Sequence, residues 1–321
     1  MKVSELLEKR RQNWAELEQL CEQTQARRSR LGAPAISRFA SLYRAACADL
    51  ALADAYQLPP NTVQYLHRLV GRAHNQLYRT RNFRLSAWGR LLLFDAPQRI
   101  FQDRCVQLAF CIFWGAFLLS FLLALSNSVF PQYAEQMLSR ETIDELEANF
   151  SESIVGRDPT LSYAMAGFYI QHNTGIGLKC FASGLLVIPG LFFSLYNAAF
   201  LGAAFGYMAR PDVPEGANFF HFVTAHGPCE LTAVVLASGS GLRLGWSWIH
   251  TRGLTRLGSL RKTAVEGMPI IGAMMVLFFL AALIEGFLSP SAAPYAVKAA
   301  VAILTSGALM FYFVVLGFPR R

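Results

Sequence analysis

Apolar and polar positions divide the chain into two unlike stretches. Through the first 80 residues the apolar positions recur every three or four, as on one face of a helix. "VSELLEKRRQNWAELEQLCEQTQA" aligns Leu6, Leu7, Trp14, Leu17 and Leu20, and "AISRFASLYRAACADLALADAY" aligns Ile36, Phe39, Leu42, Tyr43, Ala46 and Leu50. "PNTVQYLHRLVGRAHNQLYR", opened by Pro59-Pro60, aligns Val63, Leu66, Leu69, Val70, Ala73 and Leu77. Three such stripes predict a small helical bundle over residues 1–87. "WGRLLLFDAPQRIFQDR", 88–104, then mixes Trp, Leu, Phe and Ile with three arginines. Such a segment suits an amphipathic helix lying in a membrane interface.

Beyond residue 104 the periodicity gives way to uncharged runs, and a run of about 20 apolar residues is what an apolar core roughly 30 Å thick requires of a helix. Residues 106–125 form the first span. Thirty uncharged residues lie between Lys179 and Arg210, about 45 Å as one helix. Pro189-Gly190 and "SLYN" interrupt them, so 180–209 reads as one kinked helix or two short ones. Residues 228–249, 267–284 and 299–318 supply three more spans. The expected fold is all-α: a polytopic membrane protein with five or six transmembrane helices in 105–321, preceded by an N-terminal cytoplasmic helical bundle.

Composition agrees with a membrane setting: 54% of residues are hydrophobic and 16% charged, against about 25% charged in soluble domains. Seventeen of the 29 Lys and Arg fall in residues 1–104 against nine acids, which accounts for the whole net charge of +8. By the positive-inside rule the N-terminal region, Arg252, Arg256, Arg261 and Lys262, and the Arg320-Arg321 tail are cytoplasmic. The loop 126–158, with seven acids against Arg140 and Arg157, suits the outer side. These sides agree if 180–209 crosses twice, giving six passes, or enters and leaves as a re-entrant loop. The basic residues alternate with acids on helices and no nucleic-acid motif accompanies them, so no nucleic-acid partner is expected. Six cysteines without a C-x-x-C pair give neither a disulfide framework nor a zinc site. His67 and His74 have no accompanying ligand constellation and read as surface or packing residues. "MKVSELLEKRRQNW" has no apolar core of a signal peptide, so the first span is expected to direct insertion.

"RRQNWAELEQL", "LYRAACADLALA", "LVGRAHNQLY", "FYIQHNTGIGLKCFASGLL", "LYNAAFLGAAFGY" and "HGPCELTAVVLASGSGLRLG" together resemble the stage II sporulation protein M family of integral membrane proteins. The resemblance covers most of residues 1–250. It implies characteristic polar positions at Asn173, Asn197, and His226 with Glu230 of the H-x-x-x-E motif; this chain has His172-Asn173 where members often carry two asparagines. The namesake is a membrane anchor for a peptidoglycan-degrading complex during engulfment. The long N-terminal domain is similar to that of members from bacteria that do not sporulate, so the sporulation role itself does not transfer.

Two readings of His226 and Glu230 follow from the residues. With Pro228 at the first helical position, Gly227 is the expected N-cap and Glu230 a carboxylate folding back on first-turn amides. Alternatively, His226 and Glu230 join Asn173 and Asn197 in an intramembrane polar cluster, since ionisable groups at membrane depth are costly and mark pathways. H-x-x-x-E lacks the adjacent Glu of H-E-x-x-H, and no nucleophile with its base can be assembled. No catalytic activity, cofactor or metal is therefore expected. Ala198, Gly202 and Gly206, and then Ala233, Ala237, Gly241 and Gly245, recur every four residues as small-residue stripes for helix packing or, failing that, for homo-oligomer contacts. Arg243 is expected to snorkel to the cytoplasmic interface. The function expected is an integral membrane scaffold in the bacterial inner (cytoplasmic) membrane, anchoring envelope or membrane protein partners in the lipid bilayer. The alternative is an ion or small-molecule transporter.

Overall fold

A computed structural model of the chain describes residues 9–26, 33–77, 85–126, 129–153 and 159–319. Leu6, Leu7, Arg157 and the Arg320-Arg321 tail, all used above, lie outside these residues. The chain divides into two compact units, 1–83 and 84–321. Among the described residues the regular structure is helical throughout.

The first unit holds α1 (Arg11–Ala26), α2 (Ala33–Ala55) and α3 (Pro60–Leu77). Trp14, Leu17 and Cys21 of α1, Phe39, Leu42, Ala46 and Ala53 of α2, and Leu66, Leu69 and Ala73 of α3 bury into one core. The stripes read from the sequence thus supply this core, except that Ile36 at the start of α2 is exposed. Asp49 is fully buried beside it. Its carboxylate accepts from the Trp14 indole at 2.8 Å and from Arg10, so burial of that charge is compensated.

In the second unit, residues 85–102 form one helical run that passes through a π turn. They run as α4 (Leu85–Arg90), a π-helical turn Leu91–Asp95 and α5 (Ala96–Gln102). The chain then turns at Asp103, where ψ is 110°. Ala96 and Ile100 bury in the main core of the unit rather than lying free on a surface. The Asp103 carboxylate caps α6 (Arg104–Leu125), accepting from the amides of Cys105 and Val106 at 2.9 and 3.2 Å. The acidic loop contains two short helices, α7 (Tyr133–Leu138) and α8 (Arg140–Phe150).

The stretch read as 180–209 divides differently from expectation. Residues 180–184 are the last turn of α9 (Pro159–Gly184), which carries Lys179, and α10 (Ile188–Met208) is a separate helix. The break falls at 185–187, where Val187 takes φ 48°, a region costly for a β-branched residue. Pro189 sits in the first turn of α10 instead of kinking it. A Cβ on Gly190 would collide with the Gly184 backbone, so the tight reversal requires glycine there. After α11 (Gly216–Val223) comes α12 (Gly227–Ile249). The last two helices begin before the apolar runs 267–284 and 299–318. α13 (Arg256–Leu283) continues through a π turn, Ile284–Leu288, and α14 (Tyr295–Met310) through another, Phe311–Val315.

Among the described residues, four helices are long and apolar enough to cross a membrane: 104–125, 188–208, 256–288 and 295–315. α9 and α12, with 26 and 23 residues, would reach about 39 and 35 Å but are less apolar. α12 can be so because it is interior: Ala233 to Leu242 is buried without interruption. A Cβ on Gly202 or Gly206 would strike the carbonyl of Phe117 or Phe121, so α10 and α6 lie side by side in the same direction. Gly241 meets the Phe181 carbonyl and Gly245 that of Gly184, which makes α12 and α9 parallel as well. Gly286 against Ala166 and Gly177 against Phe278 make α13 antiparallel to α9.

Candidate functional site

The loops at one end of the second unit are tied together by hydrogen bonds. Arg210 donates to the Ala124 carbonyl at 2.6 Å, Tyr207 to Glu147 at 2.5 Å and Asn218 to the Phe150 carbonyl at 2.9 Å. Here α12 begins, and its N-cap is His226, with Gly227 and Pro228 in the first turn. The expected cap is therefore displaced by one residue. The His226 side chain makes no capping bond, and the Glu230 carboxylate lies 3.7 Å from His226 Nε2 instead of serving the first-turn amides. One turn of helix puts the pair on the same face, which directs the carboxylate at the imidazole.

The other helices complete a polar cluster around this pair. Nδ1 of His226 shares a 3.0 Å hydrogen bond with Ser289 Oγ. Asn173 of α9 donates to Glu285 Oε2 at 3.1 Å. A His226 nitrogen and carboxylate oxygens of Glu230 and Glu285 all lie within 4.8 Å of one another. Glu285 lies in the π turn that ends α13 and Ser289 caps that turn, its amide bonding the Ile284 carbonyl at 2.9 Å. Wide turns of this kind recur at functional sites. Lys298 of α14 is fully buried next to them. Its ammonium donates to the Ser289 carbonyl at 2.6 Å and contacts His221 Nδ1 at 2.9 Å. His226, Asn173 and Glu285 are each less than a tenth exposed.

Of the four polar positions read from the sequence, three meet here: Asn173, His226 and Glu230. Asn197 makes its bond within its own helix, to the Phe193 carbonyl at 2.8 Å. Glu285, Ser289 and Lys298 were not among the candidates. In the sequence Glu285 and Lys298 directly flank the uncharged runs 267–284 and 299–318, where a charge reads as the end of a span. An ionisable residue directly abutting an apolar run is the signal that could have found both.

At the other end of α12, Arg243 bonds the Asp103 carboxylate and, at 3.1 Å, that of Glu266, while Arg99 donates to the Glu266 carbonyl at 2.8 Å. Arg243 is thus paired within the bundle. The small-residue positions have found partners too. Gly202, Gly206, Gly241 and Gly245 are in backbone contact with neighbouring helices of the same chain, and Ala198, Ala233 and Ala237 are fully buried. Packing inside one chain uses both stripes.

The family model for stage II sporulation protein M matches residues 106–290, more than half of the chain and all of the cluster except Lys298 and its turn. The chain belongs to the stage II sporulation protein M family. Family membership extends over α6 to the π turn of α13, while residues 4–79 match a second model, described as a domain of unknown function (DUF8413). No curated protein and no solved structure matches the chain. The sporulation protein M match thus lies within the second unit, and the DUF8413 match lies within the first.

Proposed function

We propose that this family member is a six-pass protein of the bacterial inner membrane that anchors a membrane or envelope complex and has no catalytic activity of its own. The six passes are α6, α9, α10, α12, α13 and α14, with both chain ends cytoplasmic. The parallel pairs α6/α10 and α9/α12, the antiparallel pair α9/α13 and the basic stretch 252–262 all support this order. Residues 1–83, a separate compact unit, supply the docking part.

The observation that carries the anchor reading is the buried run Ala233–Leu242. A helix with small residues in backbone contact with its neighbours occupies the middle of the membrane unit, where a conduit would need polar space. Isolation of the full chain from native membranes tests this. We expect a partner polypeptide to co-purify in fixed stoichiometry and to be lost on deletion of residues 1–83, with membrane insertion retained. Purification of the full chain alone under the same conditions would count against an anchor. A second reading, transport of an ion or small molecule, draws its support from the buried His226–Glu230–Glu285 group, since ionisable residues at membrane depth mark pathways.

A further inference from the structure

We infer that His226, Glu230 and Glu285 form a binding site for one divalent first-row transition cation, of the Zn2+ or Mn2+ class. The three side chains come from the start of α12 and the π turn ending α13, and they offer one imidazole nitrogen and two carboxylates. Their ligand atoms lie within 4.8 Å of one another, with His226 Nε2 and Glu230 Oε2 at 3.7 Å. Ligands about 2.1 Å from a tetrahedral ion stand roughly 3.4 Å apart, so small rotamer adjustments close the set around a cation. A mixed nitrogen and oxygen donor set suits Zn2+ or Mn2+ better than the all-oxygen cages of Mg2+ and Ca2+, and ligand affinities rank Zn2+ above Mn2+.

The surroundings orient these donors as metal ligands are oriented. His226 engages Ser289 Oγ through Nδ1 at 3.0 Å; in the tautomer with the proton on Nδ1, that bond leaves the Nε2 lone pair facing Glu230. Asn173 holds Glu285 from α9 at 3.1 Å. Such outer partners fix ligand direction in metal sites. Lys298 sends its ammonium to the Ser289 carbonyl and His221, so its bonds brace the turn that carries Glu285 and is capped by Ser289. Gly286 adds the close approach: a Cβ there would stand 2.6 Å from that of Ala166, which keeps α9 near the site. A bound cation would join α12 to α13, with α9 holding one ligand in place. The site is independent of the anchoring role, and the two stand or fall by different measurements.

The test uses the full chain in detergent, loaded separately with Zn2+ and Mn2+, desalted, and measured by elemental analysis. Helical content and monodisperse elution serve as checks of folding. We expect one Zn2+ retained per chain. Retention should fall at least about tenfold in Glu285→Gln and in Glu230→Gln, and Asn173→Ala should weaken affinity about 10- to 100-fold. Glu266→Gln, on α13 beside Arg243 and away from the site, should bind as the parent does. Absorption of the Co2+-loaded parent, displaced by Zn2+, reports the same site without any variant. Folded parent protein that retains neither ion and shows no Co2+ absorption would overturn the proposal, as would undiminished binding by folded Glu285→Gln.

Discussion

Glu18 on α1 links all three parts of a local network in the N-terminal unit: its carboxylate receives Arg72 and, at 2.9 Å, the Tyr65 hydroxyl, both from α3. The Arg72 hydrogen bond holds this carboxyl below its ordinary 4.5, against a smaller opposing push from burial. A depressed folded pKa means that the contribution to stability is complete above about 4.5 and fades as the pH falls through the folded value. Pepsin cleavage within residues 11–77 of the full chain should therefore rise between pH 5 and pH 3, taking those limits as about one unit either side of the carboxyl range. Glu18→Gln, already without the charge, should show a weaker pH dependence; an unchanged profile would remove Glu18 from the account. The same network pushes the Tyr65 hydroxyl up to about 12, first through burial and then through Glu18, so it remains a donor throughout this range.

Among the helices, α12 is where sequence pattern and packing meet most directly. Gly241 lies against the Phe181 carbonyl, whereas Gly115, on an exposed face of α6, has nothing near its missing Cβ. The same substitution should then have opposite signs. Gly115→Ala should stabilise by about 0.5–1 kcal/mol through helix propensity, while Gly241→Ala should destabilise by about 1–3 kcal/mol through overpacking. Thermal midpoints in one detergent would show this; equal shifts would mean that α9 and α12 are not in backbone contact. The four-residue spacing of Gly241 and Gly245 was legible because small residues have few uses at that period in an apolar helix. The polar cluster was legible only in part, and the reason is physical. A charge ordinarily ends a membrane span, so Glu285 and Lys298 marked boundaries, and only tertiary contacts from Asn173, Ser289 and His221 show how each can be buried. The cap assigned to Gly227 failed by one residue because Pro228 is accepted in the second helical position as well as the first.

At the scale of the whole molecule, the all-helical class, the presence of membrane-length apolar helices and the family could be read from the chain, because apolar runs and ordered polar motifs survive without knowledge of packing. The division of 159–208 into two helices could not, since it depends on the reversal at Val187 and the close contact of Gly184 with Gly190. In the proposed role the membrane unit anchors and does not conduct. Flux into vesicles reconstituted with the purified full chain, followed for protons and for Zn2+ under imposed gradients, distinguishes an anchor from a conductor. Rates should equal those of empty vesicles for the unmodified protein and for Glu230→Gln alike. A saturable flux in the unmodified protein that Glu230→Gln abolishes, with the protein still folded and inserted, would contradict the anchor and establish the transporter.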